Sequence, residues 1–441
     1  MKLKLVALTL LLTAETYGMT LSEAVKTALS KNNQLLAKKF ELKEKEHDLK
    51  IAKKRLWPTL ELYSEFNKSN DPMVSLMNKI EAQKLNPATT DFNDPGTSQL
   101  FKTGIKATVP LWLGGKLRTA VSLSKKEVKA TKEQLSKEKE KVVFDVVRAY
   151  FNVLTAKAYL ETASLAVKDA ERHLEDAKVA YKAGFAVKSD VLRAKVYLES
   201  VKENLVKAES NYEIAKRALA LAIGLSGNEP VDVDGNLNFK EFNVDLNEAI
   251  KVAIENRSEL KELKLRLSQT KDLKDLAKSD FMPQFVLFGE YFLASDNSPI
   301  AEDNTAWTIG LKASINLFDG GVKFEKLRKA KTSELKIKEY MERAKKGIEF
   351  EVARAYYKVQ EAKKRVELAK ISLKSAKESL RIVEKRYKAG LSTITELLDT
   401  QTALNKARAG LVNALSSYNQ AVAELFFKEG VISNKYTKLE N

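Results

Sequence analysis

Residues 352–387 read VARAYYKVQEAKKRVELAKISLKSAKESLRIVEKRY. Val352, Ala355, Val359, Ala362, Val366, Ala369, Leu373, Ala376, Leu380, Val383 and Tyr387 follow one another at steps of three and four without a miss. A strict 3.5-residue apolar period predicts a helix that coils around a neighbour. Alanine at 355, 362, 369 and 376, every second seam position up to that point, lets the facing backbone come close. The seam runs into Tyr387-Lys388-Ala389-Gly390, where Gly390 can take the left-handed conformation that ends a helix. A second helix is expected from about Thr393 to Gly430, making a helical hairpin with a tight tip.

Moving back 206 residues gives Val146, Ala149, Val153, Ala156, Leu160, Ala163, Val167, Ala170, Leu174, Ala177 and Tyr181, followed by Lys182-Ala183-Gly184. The same alternation of large and small residues returns, so the chain is an internal duplication. Other landmarks repeat as well. Leu21-Ser22-Glu23-Ala24 has its mate in Leu246-Asn247-Glu248-Ala249, and Pro58 and Pro283 each stop the helix that follows these starts.

After each proline the apolar period changes to two. Leu60, Leu62 and Phe66 alternate with Glu61 and Glu65, and Phe285, Leu287 and Tyr291 occupy the matching face in the second half. Past a polar loop (67–103 in the first repeat, about 293–305 in the second) come two more alternating runs. One places Ile105, Ala107, Val109, Leu111 and Leu113 on one face; the other places Trp307, Ile309, Leu311, Ala313, Ile315 and Leu317. Ten-residue strands with one apolar and one polar face fit a transmembrane β-barrel with a wet interior. Trp112 and Trp307 stand near the strand ends.

Both strand pairs end in paired glycines, 114–115 and 320–321, and then a long helix begins. Gly114-Gly115-Lys116 lacks the spacing and the hydroxyl of a phosphate loop and reads as a strand-to-helix turn. Residues 116–183 and 322–389 would each make a helix of about 100 Å. The shorter helices, 20–56 with 187–224 and 245–281 with 392–430, sum pairwise to a similar length. The domain reading is residues 1–18 as a signal peptide, 19–225 as the first repeat, 226–244 as a linker, 245–430 as the second repeat and 431–441 as a tail. Strands are expected at 58–66, 104–113, 283–292 and 306–317.

The signal peptide follows from Lys2 and Lys4, the apolar run Leu5–Leu12 and the residues up to Gly18. No other stretch offers ~20 consecutive apolar residues for a spanning helix. There is no cysteine, so disulfides and thiolate metal sites are excluded. The formal net charge is +17, but the lysines and arginines run among glutamates with no aromatic-interleaved block, so no nucleic-acid partner is expected. His47 and His173 have no metal or triad spacing and read as surface residues. No cofactor and no enzymatic activity are expected.

Four strands cannot close a barrel, and an open edge cannot sit in lipid, so a membrane reading demands several copies. The helix starts, Trp57-Pro58, Met282-Pro283, Leu317-Phe318-Asp319-Gly320-Gly321 and the two tips, each tip followed by Ser189-Asp190-Val191-Leu192 or Thr395-Glu396-Leu397-Leu398, resemble the TolC-like outer-membrane efflux protein family. The resemblance runs from Thr20 to Gly430. It implies an α+β membrane protein, a homotrimer whose long antiparallel coiled-coil helices form an α-barrel tunnel in the periplasm, with four strands per chain closing a transmembrane β-barrel in outer-membrane lipid. It implies an exit duct for efflux or type I secretion, coupled through a periplasmic adaptor to an inner-membrane pump. A non-transporting coiled-coil stalk is the rival.

The resemblance also assigns residues. Asp190, Tyr387, Glu396 and Asp399 would form the periplasmic gate and acidic constriction; Ser392 stands where some relatives place an arginine. Gly184, Ser189, Gly390 and Thr395 would mark the tips where the adaptor docks. Glu396 has a second reading, since Thr393-x-x-Glu396 is also a capping box. For Tyr387 the second reading is ordinary seam packing, as at Tyr181.

Overall fold

The computed structural model describes residues 18–301 and 303–437. The expected signal peptide therefore lies outside the described residues, apart from Gly18. The chain divides into two compact units. One comprises residues 42–132 and 262–341, and the other comprises the described residues up to 41, 133–261 and 342 onward.

The strand unit holds a single antiparallel sheet in the order β1 (Thr59–Ser69), β2 (Ser98–Leu113), β3 (Gln284–Ser295), β4 (Asn304–Ser314). Each repeat contributes one hairpin, and β2 pairs with β3 across the duplication. Leu62, Ile105, Tyr291 and Trp307 form one cross-strand row, and Val109, Leu287 and Leu311 form another. The face they share is open to solvent: Leu60 and Leu62 are each 76% exposed, Trp307 and Ile309 each 71%. The opposite face carries Glu61, Glu65, Lys102, Lys106, Glu290 and Lys312, with Tyr63 hydrogen-bonded to Glu290.

Several details depart from the sequence reading; β4, expected at 306–317, begins at Asn304 and ends at Ser314, so Ile315 and Leu317 lie beyond it. Pro110 has no N–H for the ladder, and the register slips between Pro110 and Trp112. The bulge brings Trp112, rather than Leu111 or Leu113, opposite Phe285, with ring centroids 6.1 Å apart. The segment 67–103 is not a plain loop. Asp71 caps the helix Pro72–Glu81 by accepting from the Val74 N–H at 3.1 Å, with Pro72 at the first helical position. Lys79 donates to the Pro95 carbonyl and Asn78 to Ser98, folding the excursion back onto β2, which begins at Ser98 rather than at 104.

The helical unit is built around the seams. Val142, Val143, Val146, Val147, Tyr150 and Val153 bury against Ala24, Val25 and Ala28 of the opening helix. Val352, Ala355, Val359, Ala362 and Val366 do the same with Ala249, Ala253 and Tyr418. The long helices, Lys116–Lys182 and Val322–Lys388, are unbroken, and the returning helices are Lys188–Ala222 and Ile394–Glu429.

The two opening helices are each broken, against expectation. The first stops at Lys31 and resumes at Asn33; its repeat mate stops at Asn256 and resumes at Ser258. At the first break Asn32 donates to the Ala222 carbonyl at 3.1 Å and accepts from the Leu35 N–H at 3.1 Å, so one side chain joins three helix ends. At the second, Arg257 binds Glu259, Glu351 and the Lys428 carbonyl. The linker is packed rather than free: Tyr418 donates to the Lys240 carbonyl and accepts from the Phe242 N–H. The expected tail contains a further short helix, Ile432–Thr437.

Candidate functional site

The hairpin tips of the helical unit carry the residues singled out by the sequence. Each long helix ends on a left-handed glycine, Gly184 at φ 79° and Gly390 at φ 70°. Both tips close with the same pair of backbone bonds. Gly184 N–H donates to Tyr181 and Phe185 N–H to Ala180; Gly390 N–H donates to Tyr387 and Leu391 N–H to Arg386. This pattern satisfies carbonyls that a helix end would leave unpaired. It also presents Phe185, 89% exposed, and Leu391, 69% exposed, at the points of the hairpins. The sequence reading passed over both, although an apolar residue one place after a capping glycine was there to be noticed.

The helix after the second tip starts with Thr393, whose hydroxyl accepts from the Glu396 N–H at 3.2 Å. The return half of a capping box is absent there. The Glu396 carboxylate instead accepts from Ser392 and pairs with Arg386 at 3.3 Å, and Arg386 also donates to the Leu391 carbonyl. Ser392 therefore joins a charged cluster whose cation is Arg386, at a position the sequence reading did not weigh. In the first repeat the Asp190 carboxylate accepts from the Val187 N–H at 3.3 Å and so caps its own helix.

Asp399 is exposed, as are Ser189 and Thr395. Arg193 of the first hairpin donates to the Thr395 hydroxyl at 3.3 Å and links the two tips. The Tyr387 hydroxyl is buried and has no hydrogen-bond partner among the described residues. Burial raises its pKa, and the negative charges of Asp190 and Asp176 add to the effect. Tyr387 and Asp190 are thus within electrostatic reach but not bonded. Tyr387 packs with Val383, Leu380 and Leu397, as the seam reading requires.

Two residues beyond Asp399, centred on Gln401, lies a buried polar cluster that the sequence reading missed. His173 is fully buried, not a surface residue, and shares a 3.0 Å hydrogen bond with Gln401. Gln401 donates to Asp169 and Asn405, Arg408 pairs with Asp169 at 2.9 Å, and Asn405 donates to the Tyr197 hydroxyl. His173 sits just beside seam residue Leu174, which is the signal that could have found it. No group of side chains suited to a metal ion occurs among the described residues. No described helix is long and apolar enough to cross a membrane.

The strand unit thus offers an exposed apolar sheet face, and the helical unit offers a pair of hairpin tips. The sequence profile of the outer membrane efflux protein family matches residues 24–225 and 249–428. The chain belongs to that family, and its place is the outer membrane. Nodulation protein T of Rhizobium leguminosarum bv. trifolii is 23% identical over 264 residues, 59% of this chain and 56% of that protein. The chain thus matches little more than half the length of that relative. Among solved structures, the CmeC outer membrane channel of Campylobacter jejuni superposes with a TM-score of 0.78 at 18% identity, covering 95% of this chain and 89% of that one. The outer membrane protein VceC of Vibrio cholerae gives 0.76 at 18%, covering 93% and 96%. The MtrE outer membrane channel of Neisseria gonorrhoeae gives 0.76 at 19%, covering 93% and 89%. At such identities the likeness establishes the fold.

Proposed function

We propose that three copies of this chain close their sheets into one twelve-stranded barrel. The assembly then serves as a passive exit duct, joined through a periplasmic adaptor to an inner-membrane pump. The observation that carries this reading is the sheet itself. Its outer strands β1 and β4 each have one unpaired edge, and its apolar face lies open. In water such a sheet is an aggregation hazard; in lipid, closed by copies of itself, every backbone group is paired. A soluble stalk would have no use for it. The solved channels that share the fold support the same reading.

The tips are the proposed docking points for the adaptor, with Gly184, Ser189, Gly390 and Thr395 flanked by the exposed Phe185 and Leu391. Asp399, with Glu396, Asp190 and Tyr387, is proposed to line the constriction at the entrance. The duct itself performs no bond chemistry, and the pump chooses the cargo.

Planar-bilayer recording of the purified, detergent-solubilised protein tests the duct. Stepwise insertions with discrete conductance are expected. A water-soluble monomer that never conducts would remove the proposal.

A further inference from the structure

The cations are not spread evenly, contrary to the first reading of the sequence. In the strand unit, four helix ends adjoin the sheet: the last eleven residues of Asn33–Lys54 and Ser258–Ser279, and the first eleven of Lys116–Lys182 and Val322–Lys388. With their connections to the strands they hold seventeen Lys and Arg against eight Asp and Glu, a net +9 of the chain's +17. The equivalent eleven-residue ends at the hairpin tips hold ten against seven, a net +3.

Many of these cations have no carboxylate partner. Lys53, Arg55, Lys116, Arg118, Lys329 and Lys331 are exposed and make no ion pair among the described residues, whereas Lys126, Lys274 and Lys326 are neutralised by Asp272, Glu334 and Asp280. Their height relative to the sheet is fixed by covalent structure. Trp57, 65% exposed, lies two residues beyond Arg55, and the Lys54 ammonium stands 5.4 Å from its ring. Trp112 precedes Lys116 by four residues. Indole rings at the ends of an apolar strand band mark the membrane–water boundary. Residues one helical turn beyond, about 5 Å further, then fall at the depth of lipid phosphates.

We propose that this collar is a binding surface for anionic phospholipid headgroups of the leaflet on the helix side of the sheet, and that these lipids anchor the protein at fixed depth. The proposal rests on the membrane reading of the sheet. Desolvation is modest because the cations stay in the headgroup layer, and their unpaired state leaves each free to meet a phosphate oxygen.

The test uses the full chain in neutral detergent, offered dilute phosphatidylglycerol or phosphatidylcholine, with bound lipid counted by native mass spectrometry. Phosphatidylglycerol should be retained about tenfold more, and the preference should vanish near 1 M salt, where the screening length is about 3 Å. The quadruple variant Lys53→Gln, Arg55→Gln, Arg118→Gln, Lys329→Gln should lose the preference. A charge-matched set in the helical unit, Lys202→Gln, Lys207→Gln, Lys364→Gln, Lys374→Gln, should keep it. Equal retention of the two lipids, or a collar variant indistinguishable from the control set, overturns the proposal. Oligomeric state and conductance of the same samples keep the two claims apart. A conducting trimer without lipid preference defeats the collar alone, and a water-soluble monomer defeats the membrane reading and the collar with it.

Discussion

Asp399 and Glu396 stand three residues apart on one helix, yet the structure gives them different freedom. Glu396 is held by Arg386 and Ser392, while Asp399 is exposed and makes no ion pair among the described residues. Only the second is free to offer an unshared charge to a passing ion. If the entrance is where we propose, Asp399→Asn should lower cation selectivity and multivalent block in bilayer recordings, whereas Glu396→Gln should leave both nearly intact. The Arg386–Glu396 pair is about half exposed, so its loss should cost under ~1 kcal/mol. The motif showed that carboxylates gather here; it could not show which was already spoken for, because Arg386 reaches Glu396 only through the turn at Gly390. His173 failed in the same way, its burial depending on Gln401 far along the chain.

Arg257 offers a pH test at the same scale. Burial would push the Glu259 carboxyl up, but the hydrogen bonds and charge of Arg257 outweigh it and hold the pKa below its ordinary value. A carboxylate lowered on folding contributes stability above its unfolded pKa and loses it as pH falls through the folded value. Arg257→Ala should therefore destabilise at neutral pH by ~1–2 kcal/mol, since it takes a largely buried guanidinium away from Glu259 and Glu351 and leaves them only Lys137 and Lys428 as ion-pair partners. The gap from wild type should narrow in thermal melts as pH falls below the ordinary glutamate value of about 4.3 and on through the lower value of folded Glu259, where that carboxylate takes up its proton.

At the scale of elements, the two opening helices begin at Leu21 and Leu246, and neither is continuous. Period and caps run smoothly through Asn32 and Arg257, so nothing local forbids an unbroken helix. The breaks exist because the end of a returning helix meets the chain there. Gly224, at φ 84°, passes so close that an added Cβ would lie 2.7 Å from the Lys31 backbone, while at Gly390 nothing comes within 4 Å. Gly224→Ala should thus lower the melting temperature clearly more than Gly390→Ala, which pays only for the left-handed backbone, about 1 kcal/mol. Equal shifts would show that the junction yields. The helix Pro72–Glu81 was legible, since Asp71-Pro72 is a helix start; its short apolar run lay inside a segment rich in Asn, Asp and Pro. The bulge at Pro110 was legible in kind, because proline cannot complete a central ladder, but not in direction.

For the molecule as a whole, the duplication was plain because identical packing problems leave identical spacings 206 residues apart. The number of copies is not written in any one chain. What one chain does show is the need for neighbours, since the free edges of β1 and β4 lack partners, and the ring of three is our proposed answer to it. The natural absence of cysteine makes that testable. Single cysteines placed on β1 and β4, scanned over Leu60, Leu62, Trp307 and Ile309, cannot meet within one chain. Two strands lie between β1 and β4, about 14 Å at 4.8 Å per step, beyond the ~7 Å that a disulfide can span. In a closed ring one pairing should be in register and should oxidise readily in membranes. The account predicts covalent dimers and trimers and nothing larger, with trimers circular and resistant to dissociation. A chain that stays monomeric for every cysteine pair, or that builds an open ladder beyond three, would contradict it.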